Sequence, residues 1–327
     1  RLSVKDTSVI TMDDVTRVSA KREIDESLML STFSMRRIGL SFDEALTAGA
    51  YFRQKLIFIA SVCGIFAHVF SELVNIILTF YNSPRVEDVV PLLHTFGYGA
   101  LSIAKVFVLW YKNKVFGELI DELASIWPMP PIDEDALIVK KKSIAALRIS
   151  HRWYFGVNVA GVWFYNVTPI VIYFYQLWQG HDAQIGFVWV SWYPFDKNEP
   201  IAHVAVYLFE IFAGVTCVWI MVSSDLLFSG MASHIALLLR ILQRRLESLG
   251  TTDKTDDEDY EDIRSNIKLH QRLMRLIDLL EPIMAVSNKL FLGSALIQVG
   301  SMCWYADDIF HAVGFLILYV LTSKFFI

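Results

Sequence analysis

The chain has 327 residues, of which 54% are hydrophobic, and its mean hydropathy is +0.44. Ordinary soluble domains contain roughly 45–50% apolar residues, so this composition excludes a typical soluble enzyme or binding domain. The formal net charge of −5 is small and gives no reason to expect a nucleic-acid partner. Because the apolar residues gather in runs of about 20 or more, we expect an all-α, polytopic membrane protein, built as a helical bundle.

The first 55 residues mix both charge signs and lack the apolar core of a signal peptide, so they are predicted to form an N-terminal segment outside the membrane. Apolar runs then predict four spans within residues 56–229 and two more within residues 284–327. The six predicted spans occupy residues 56–80, 90–111, 153–178, 201–229, 284–304 and 308–327.

Lysine and arginine residues are distributed very unevenly between the two sides of these spans. The N-terminal side holds 26 of them and the other side holds 2, with Lys105 inside the second span. Positively charged residues collect on the cytoplasmic side of membrane proteins. The sequence therefore predicts a cytoplasmic N-terminus.

The segment between the fourth and fifth spans, residues 230–283, has the 3.6-residue periodicity of amphipathic helices. We expect both spans to continue as helices into the cytoplasm, where their apolar faces pack against each other or against another subunit; helices lying on the membrane surface are the alternative. The expected apolar positions are Ile235, Leu238, Leu239 and Leu242, followed by Ile267, Leu269, Leu273, Leu276 and Leu280.

No pattern in the sequence predicts catalysis or metal binding. The chain contains no HExxH, GxSxG or Walker A motif, and its eight histidines have no metal-ligand spacing. The three cysteines lie within apolar runs, which is typical of packed thiols. We therefore expect no enzymatic activity, no cofactor and no metal.

Two ionisable residues lie deep in predicted spans, Lys105 in the second and Glu210 in the fourth. Charged groups at such depth are costly and need a partner or water. One hypothesis is that the two form an ion pair between helices. The alternative is that Lys105 extends to the cytoplasmic face while Glu210 is protonated or hydrated.

Aromatic residues are concentrated in the outer halves of the spans, where the second, third, fourth and sixth spans would enclose an apolar cavity with a few polar groups. Such a cavity suits a small, mostly hydrophobic ligand, and Pro169 would open space beside the third span. The alternative is that these rings only pack helices together. The predicted ligand-binding residues are His94, Tyr98, Phe164, Tyr165, Thr168, Tyr207, Ile211 and Phe315.

The stretch "WYPFD", residues 192–196, precedes the fourth span. Together with the cytoplasmic N-terminus, the short first outer loop and the long extensions of spans four and five, it resembles the insect odorant receptors. This resemblance implies seven spans, with a topology inverted relative to G-protein-coupled receptors. It also implies an odorant-binding tuning subunit of a ligand-gated, non-selective cation channel, assembled as a tetramer with the odorant receptor co-receptor.

The same resemblance implies a volatile small ligand, surrounding membrane lipid, and a location in the plasma membrane of sensory neuron dendrites. Residues 1–327 would then form a single receptor and channel domain, in which residues 230–283 are the cytoplasmic anchor and the seventh, pore-lining span is missing. A gustatory receptor shares this architecture. A G-protein-coupled receptor and a small-solute transporter are further alternatives, disfavoured respectively by the charge distribution and by the lack of internal repeats.

Overall fold

The computed structural model describes residues 12–42, 47–82, 85–249 and 256–304. Within these ranges the chain is all-α and contains no strand, as the sequence predicts. The eight helices of the described residues are α1 (Met12–Ser27), α2 (Met29–Arg37), α3 (Ala48–Asn82), α4 (Val86–Tyr111), α5 (Asn113–Ser125), α6 (Glu134–Trp178), α7 (Pro200–Glu247) and α8 (Asp256–Trp304).

Three of these helices, α3, α6 and α7, are long and apolar enough to cross a membrane. They contain the predicted spans 56–80, 153–178 and 201–229. The predicted spans 90–111 and 284–304 fall within α4 and α8, and their membrane crossing stays a prediction. The sixth predicted span, 308–327, lies outside the described residues.

The predicted helical extensions of spans four and five are observed as the continuous helices α7 and α8. Ile235, Leu238 and Leu242 are buried, as their spacing predicts. The prediction for Ile267 is wrong, because its side chain is 52% exposed. The buried stripe on α8 instead begins at Asn266 and continues through the buried residues Leu273, Leu276, Leu280 and Ile283.

The chain divides into two compact units, and the first comprises residues 1–29, 114–148 and 230–280. In this unit α1 is fixed by Glu23, whose carboxylate accepts hydrogen bonds from Lys140 Nζ at 2.6 Å and from Trp127 Nε1 at 2.8 Å. Lys140 also donates to the carbonyl of Pro128 at 2.8 Å. The buried ammonium of Lys140 therefore has both a counter-charge and a second acceptor, which its desolvation requires.

The second unit comprises residues 30–113, 149–229 and 281–327. Its helices α3 and α4 pack closely at Gly99, where an added Cβ would lie 2.6 Å from Val69 Cγ2. Only glycine permits that approach. A buried cluster shared by α6 and α7 provides part of the core, and its residues are Tyr154, Val162, Val218, Val222 and Leu226.

Candidate functional site: a cleft between α6 and the 179–199 loop

The loop that connects α6 to α7, residues 179–199, contains a segment whose main chain is held by side chains of the helices. Glu210 on α7 accepts hydrogen bonds from the backbone N–H groups of Val188 at 2.7 Å and Trp189 at 3.1 Å. Irregular backbone that is removed from water needs such partners, because its polar groups cannot pair within the segment. We call residues 188–192 the anchored segment.

Helix α3 holds the same segment from a second direction. Asn75 Nδ2 donates to the carbonyl of Val190 at 3.1 Å, and the hydroxyl of Ser71 donates to the carbonyl of Trp192. The backbone N–H of Trp192 donates in return to the carbonyl of Ser71 at 3.4 Å. The anchored segment is therefore attached to α3 and to α7 at once.

The indole of Trp189 fills the space between the helices of this unit. It stacks on the ring of Tyr165 with 5.8 Å between centroids and meets the ring of His68 edge-on at 6.0 Å. Its Nε1 donates to the carbonyl of Glu210 at 3.3 Å. Gly214 makes room for it, because a Cβ there would lie 3.1 Å from Trp189 Cζ2.

The carboxylate of Glu210 is fully buried and has a third donor in the hydroxyl of Tyr193, at 3.1 Å. Burial first, and then the neighbouring Glu210 carboxylate, raise the pKa of the Tyr193 phenol above its usual range. Tyr193 therefore stays protonated and donates. These three donors stabilise a carboxylate that would otherwise be costly to bury.

The predicted ion pair between Lys105 and Glu210 is corrected by the structure. Both side chains are buried as expected, but the ammonium of Lys105 pairs with the carboxylate of Asp225 on α7. The second oxygen of Asp225 accepts a hydrogen bond from the hydroxyl of Tyr154 on α6 at 2.6 Å. Glu210 instead takes its donors from the loop, and the sequence pattern did not show that the loop folds back onto it.

A cleft of about 310 Å³ lies between α6 and the loop, next to the anchored segment. This volume is near the lower limit of small-molecule sites, which run from roughly 300 to 1,000 Å³. The lining is mostly apolar, with hydroxyl and amide groups from Thr168, Gln176 and Gln184. The remaining lining residues are Tyr165, Pro169, Ile172, Gly186, Phe187 and Val188.

Two of the eight predicted ligand-binding residues, Tyr165 and Thr168, line this cleft, and so does Pro169, where the sequence predicts open space. The hydroxyl of Thr168 donates to the carbonyl of Phe164 at 2.6 Å, which leaves its oxygen able to accept a hydrogen bond from a ligand. Proline at position 169 has no N–H to donate, so the helix lacks one backbone hydrogen bond beside the cleft.

Four of the other predicted ligand-binding residues, Tyr98, Phe164, Tyr207 and Ile211, do not line the cleft. Phe164 is 68% exposed, and Tyr207 donates to the backbone carbonyl of Asn166 at 2.5 Å. Tyr98 packs against the buried cluster of α6 and α7, and Ile211 is half-buried on α7. The side chain of His94 and the whole of Phe315 fall outside the part of the chain that the structure describes.

Sequence reasoning missed the two residues that best explain the local structure, Asp225 and Trp189. Asp225 lies in the same apolar run as Glu210 and was visible as a charged residue near the C-terminal end of that run. Trp189 stands in a loop without periodicity, so no pattern indicated that it enters the helical unit.

Comparison with known proteins gives the family. The family model described as 7tm Odorant receptor matches residues 85–326, which is well over half of the chain. The chain belongs to the odorant receptor family. This agrees with the resemblance seen in the sequence and identifies a helical membrane protein.

Individual odorant receptors are related at low identity. Odorant receptor 85c of Drosophila melanogaster is 23% identical over 233 residues, which cover 71% of this chain and 59% of the relative. Putative odorant receptor 85d of the same species is 19% identical, over 70% of this chain and 56% of the relative. The chain thus spans less than two thirds of the length of these curated relatives.

Solved structures show the same fold. The insect olfactory receptor OR5 from Machilis hrabei matches with a TM-score of 0.70 at 11% identity, over 95% of this chain and 79% of that chain. The structure of the same receptor in complex with eugenol matches with a TM-score of 0.72, over 94% of this chain and 79% of that chain.

Proposed function

We propose that this odorant receptor is the odorant-binding tuning subunit of a ligand-gated, non-selective cation channel in insect olfaction. The observation that carries the proposal is the cleft beside α6. Tyr165 and Thr168, chosen from the sequence as ligand-binding residues, line it together with the loop. Membership of the odorant receptor family supports the receptor role.

The ligand in this proposal is a small, volatile and mostly hydrophobic molecule. The cleft of about 310 Å³ offers apolar and aromatic walls with a few hydrogen-bonding groups, which favour binding by shape and dispersion with one or two hydrogen bonds. The eugenol complex of OR5 supports this ligand class. Of the predicted ligand residues, Tyr165 and Thr168 line this cleft, and the proposal for His94, Tyr98, Phe164, Tyr207, Ile211 and Phe315 rests on the sequence alone.

Ligand binding would act through the anchored segment. Gly186, Phe187 and Val188 line the cleft, and the N–H of Val188 is bonded to Glu210. A ligand that binds this cleft more tightly when the loop and α7 adopt the open arrangement shifts the population toward that arrangement. A ligand with equal affinity for both arrangements produces no response.

The proposed assembly is a tetramer with the odorant receptor co-receptor, in the plasma membrane of sensory neuron dendrites and with a cytoplasmic N-terminus. The charge distribution of 26 to 2 supports this orientation. Tyr260, Ile263, Ile267 and Met274 leave an exposed apolar stripe on α8, spaced close to the 3.5-residue repeat by which helices associate. The stripe supports contact with another subunit.

The test is agonist-evoked current in inside-out patches without nucleotide, from cells that express the receptor with and without the co-receptor. A panel of small phenols, alcohols and esters that includes eugenol supplies the ligands. We expect a current that requires the co-receptor and persists without GTP. A current that requires GTP, or no current although the protein reaches the surface, would contradict the channel proposal.

The cleft itself is tested with two tyrosines of α6, ten residues apart. Tyr165→Ala opens the cleft wall and removes the stacking partner of Trp189, so we expect at least a tenfold shift in the half-maximal ligand concentration, equal to about 1.4 kcal/mol. Tyr175→Ala is the matched control, because Tyr175 is exposed on the same helix and does not line the cleft. Equal dose–response curves for both variants would reject this cleft as the ligand site.

A further inference from the structure

A groove of about 420 Å³ lies in the first compact unit, between the N-terminal part of α6 and the C-terminal part of α7. We propose that this groove binds a small anion that carries two or more phosphate groups. The inference does not depend on the odorant function. The groove is lined by Val139, Lys142, Ser143, Arg240, Gln243, Arg244 and Glu247.

Three of the lining residues, Lys142, Arg240 and Arg244, are cations, and among the described residues none of them has a carboxylate within 4.0 Å. Other basic residues of this unit do have one: Lys21 with Asp121 at 2.7 Å, Lys140 with Glu23 at 2.6 Å and Arg272 with Glu122 at 2.7 Å. Other cations among the described residues of the unit, such as Lys141 and Arg245, also lack a carboxylate at that distance, so the distinguishing feature of Lys142, Arg240 and Arg244 is that all three line one groove.

The lining contains one carboxylate, that of Glu247, and it is already engaged. Gln243 Nε2 donates to Glu247 Oε1 at 2.9 Å, which holds that carboxylate along α7. The lining residues therefore have a net charge of +2. A groove with concentrated positive charge attracts anions.

The arrangement of the cations matches phosphate better than it matches a structural role. Arg240 and Arg244 stand one turn apart on α7, and like charges at that spacing repel each other. The dipole of α7 favours basic residues in its last turn and so accounts for Arg244. It does not account for Lys142, which lies on another helix, eight residues after the first residue of α6.

Arginine binds phosphate through two parallel hydrogen bonds, and lysine binds it as a point charge. Ser143 and Gln243 add hydroxyl and amide donors on the two walls. The volume of about 420 Å³ lies within the range of roughly 300 to 1,000 Å³ that small-molecule sites occupy.

The anion has two possible sources, a soluble polyphosphate and a phosphorylated lipid headgroup. Lys142 precedes the predicted third span by 11 residues, and Arg244 follows the predicted fourth span by 15. At 1.5 Å per residue these separations are about 16 and 22 Å along the helices. Such distances from the membrane favour the soluble form.

The test measures binding of inositol trisphosphate to the full chain in nanodiscs that contain only phosphatidylcholine, by titration calorimetry. We expect saturable binding that weakens as salt rises. The double variant Lys142→Gln and Arg244→Gln should weaken binding by about a hundredfold, a factor of ten for each lost charge. The control double variant Lys141→Gln and Arg245→Gln removes the same charges from adjacent positions outside the groove and should bind within about twofold of the original.

A second arm separates the two sources. Nanodiscs that include phosphatidylinositol bisphosphate are compared with phosphatidylcholine nanodiscs by the midpoint of thermal unfolding. Binding in solution identifies a soluble polyphosphate. Stabilisation by the lipid alone, lost in the groove variant and kept in the control, identifies a headgroup. Equal behaviour of the groove and control variants in both arms, or no binding in either, would overturn the proposal.

Discussion

The buried cluster of Lys105, Asp225 and Tyr154 allows a sharp test of what holds α4, α6 and α7 together. The side chains of Lys105 and Asp225 are only 2% and 5% exposed. Asp225→Asn keeps the size and shape of the side chain and an oxygen to which Tyr154 can donate. It removes the negative charge that pairs with the ammonium of Lys105. Breaking a buried pair in this way costs about 3–5 kcal/mol.

At about 2–4 °C per kcal/mol, the loss corresponds to a fall of roughly 6–20 °C in the midpoint of thermal unfolding. The assay is size-exclusion of the detergent-solubilised protein after heating. Lys105→Met combined with Asp225→Asn removes both charges and should recover more than half of the loss. Asp182→Asn, an exposed loop carboxylate, is the control. The reasoning is refuted if Asp225→Asn is no worse than this control, or if the double variant is worse than the single one.

Three further predictions concern other parts of the chain. Lys140→Met should lower the free energy of unfolding by about 2 kcal/mol, because it removes charged hydrogen bonds of a buried side chain. Lys141→Met, at an exposed neighbouring position, should change it by no more than about 0.5 kcal/mol. Equal midpoints of thermal unfolding for the two variants would contradict the prediction. Gly39→Ala should prevent folding, because Gly39 has φ +76° and an added Cβ would lie 2.4 Å from the backbone of α3. Gly180→Ala is the control: Gly180 has a similar φ of +79° but open space around it, so the change should lower the free energy of unfolding by only about 1–2 kcal/mol. Similar surface expression of the two variants would refute the steric argument. Glu210→Gln should weaken the hydrogen bonds to the loop by about 1 kcal/mol, because a neutral amide accepts hydrogen bonds less strongly than a carboxylate. Hydrogen–deuterium exchange in the loop between α6 and α7 should then rise about fivefold. Unchanged exchange would show that the carboxylate does not hold the loop.

The sequence predicted the helices well, because long apolar runs and amphipathic repeats are local signals. The continuity of α7 through residues 201–229 and the burial of Ile235 and Leu242 both follow from spacing along one helix. Ile267 shows the limit of this reasoning. An apolar residue at the edge of a stripe is buried only if another element covers it, and the chain's own periodicity does not say which element does so.

The candidate site was predictable only in part, for a related reason. Tyr165 and Thr168 lie three residues apart on α6, so one helical face brings both to the cleft. The opposite wall comes from the loop, and its position depends on contacts of Glu210, Asn75 and Ser71 with main-chain atoms far away in sequence. These contacts between residues far apart in sequence also explain why the predicted pairing of Glu210 with Lys105 is wrong.

The way in which the anchored segment is held bears on how receptors of this kind can diversify. Most of the bonds that fix it reach its amides and carbonyls, which every non-proline residue possesses, rather than its side chains. The side chain of Val188, which lines the cleft, can therefore be exchanged without loss of these attachments, and the cleft residues Gln184 and Phe187 lie outside the anchored segment. Under the proposed function, a receptor would acquire a new odour preference by substitutions in one short stretch of loop while its helices stay as they are, and transplanted loops from related receptors should carry their selectivity with them.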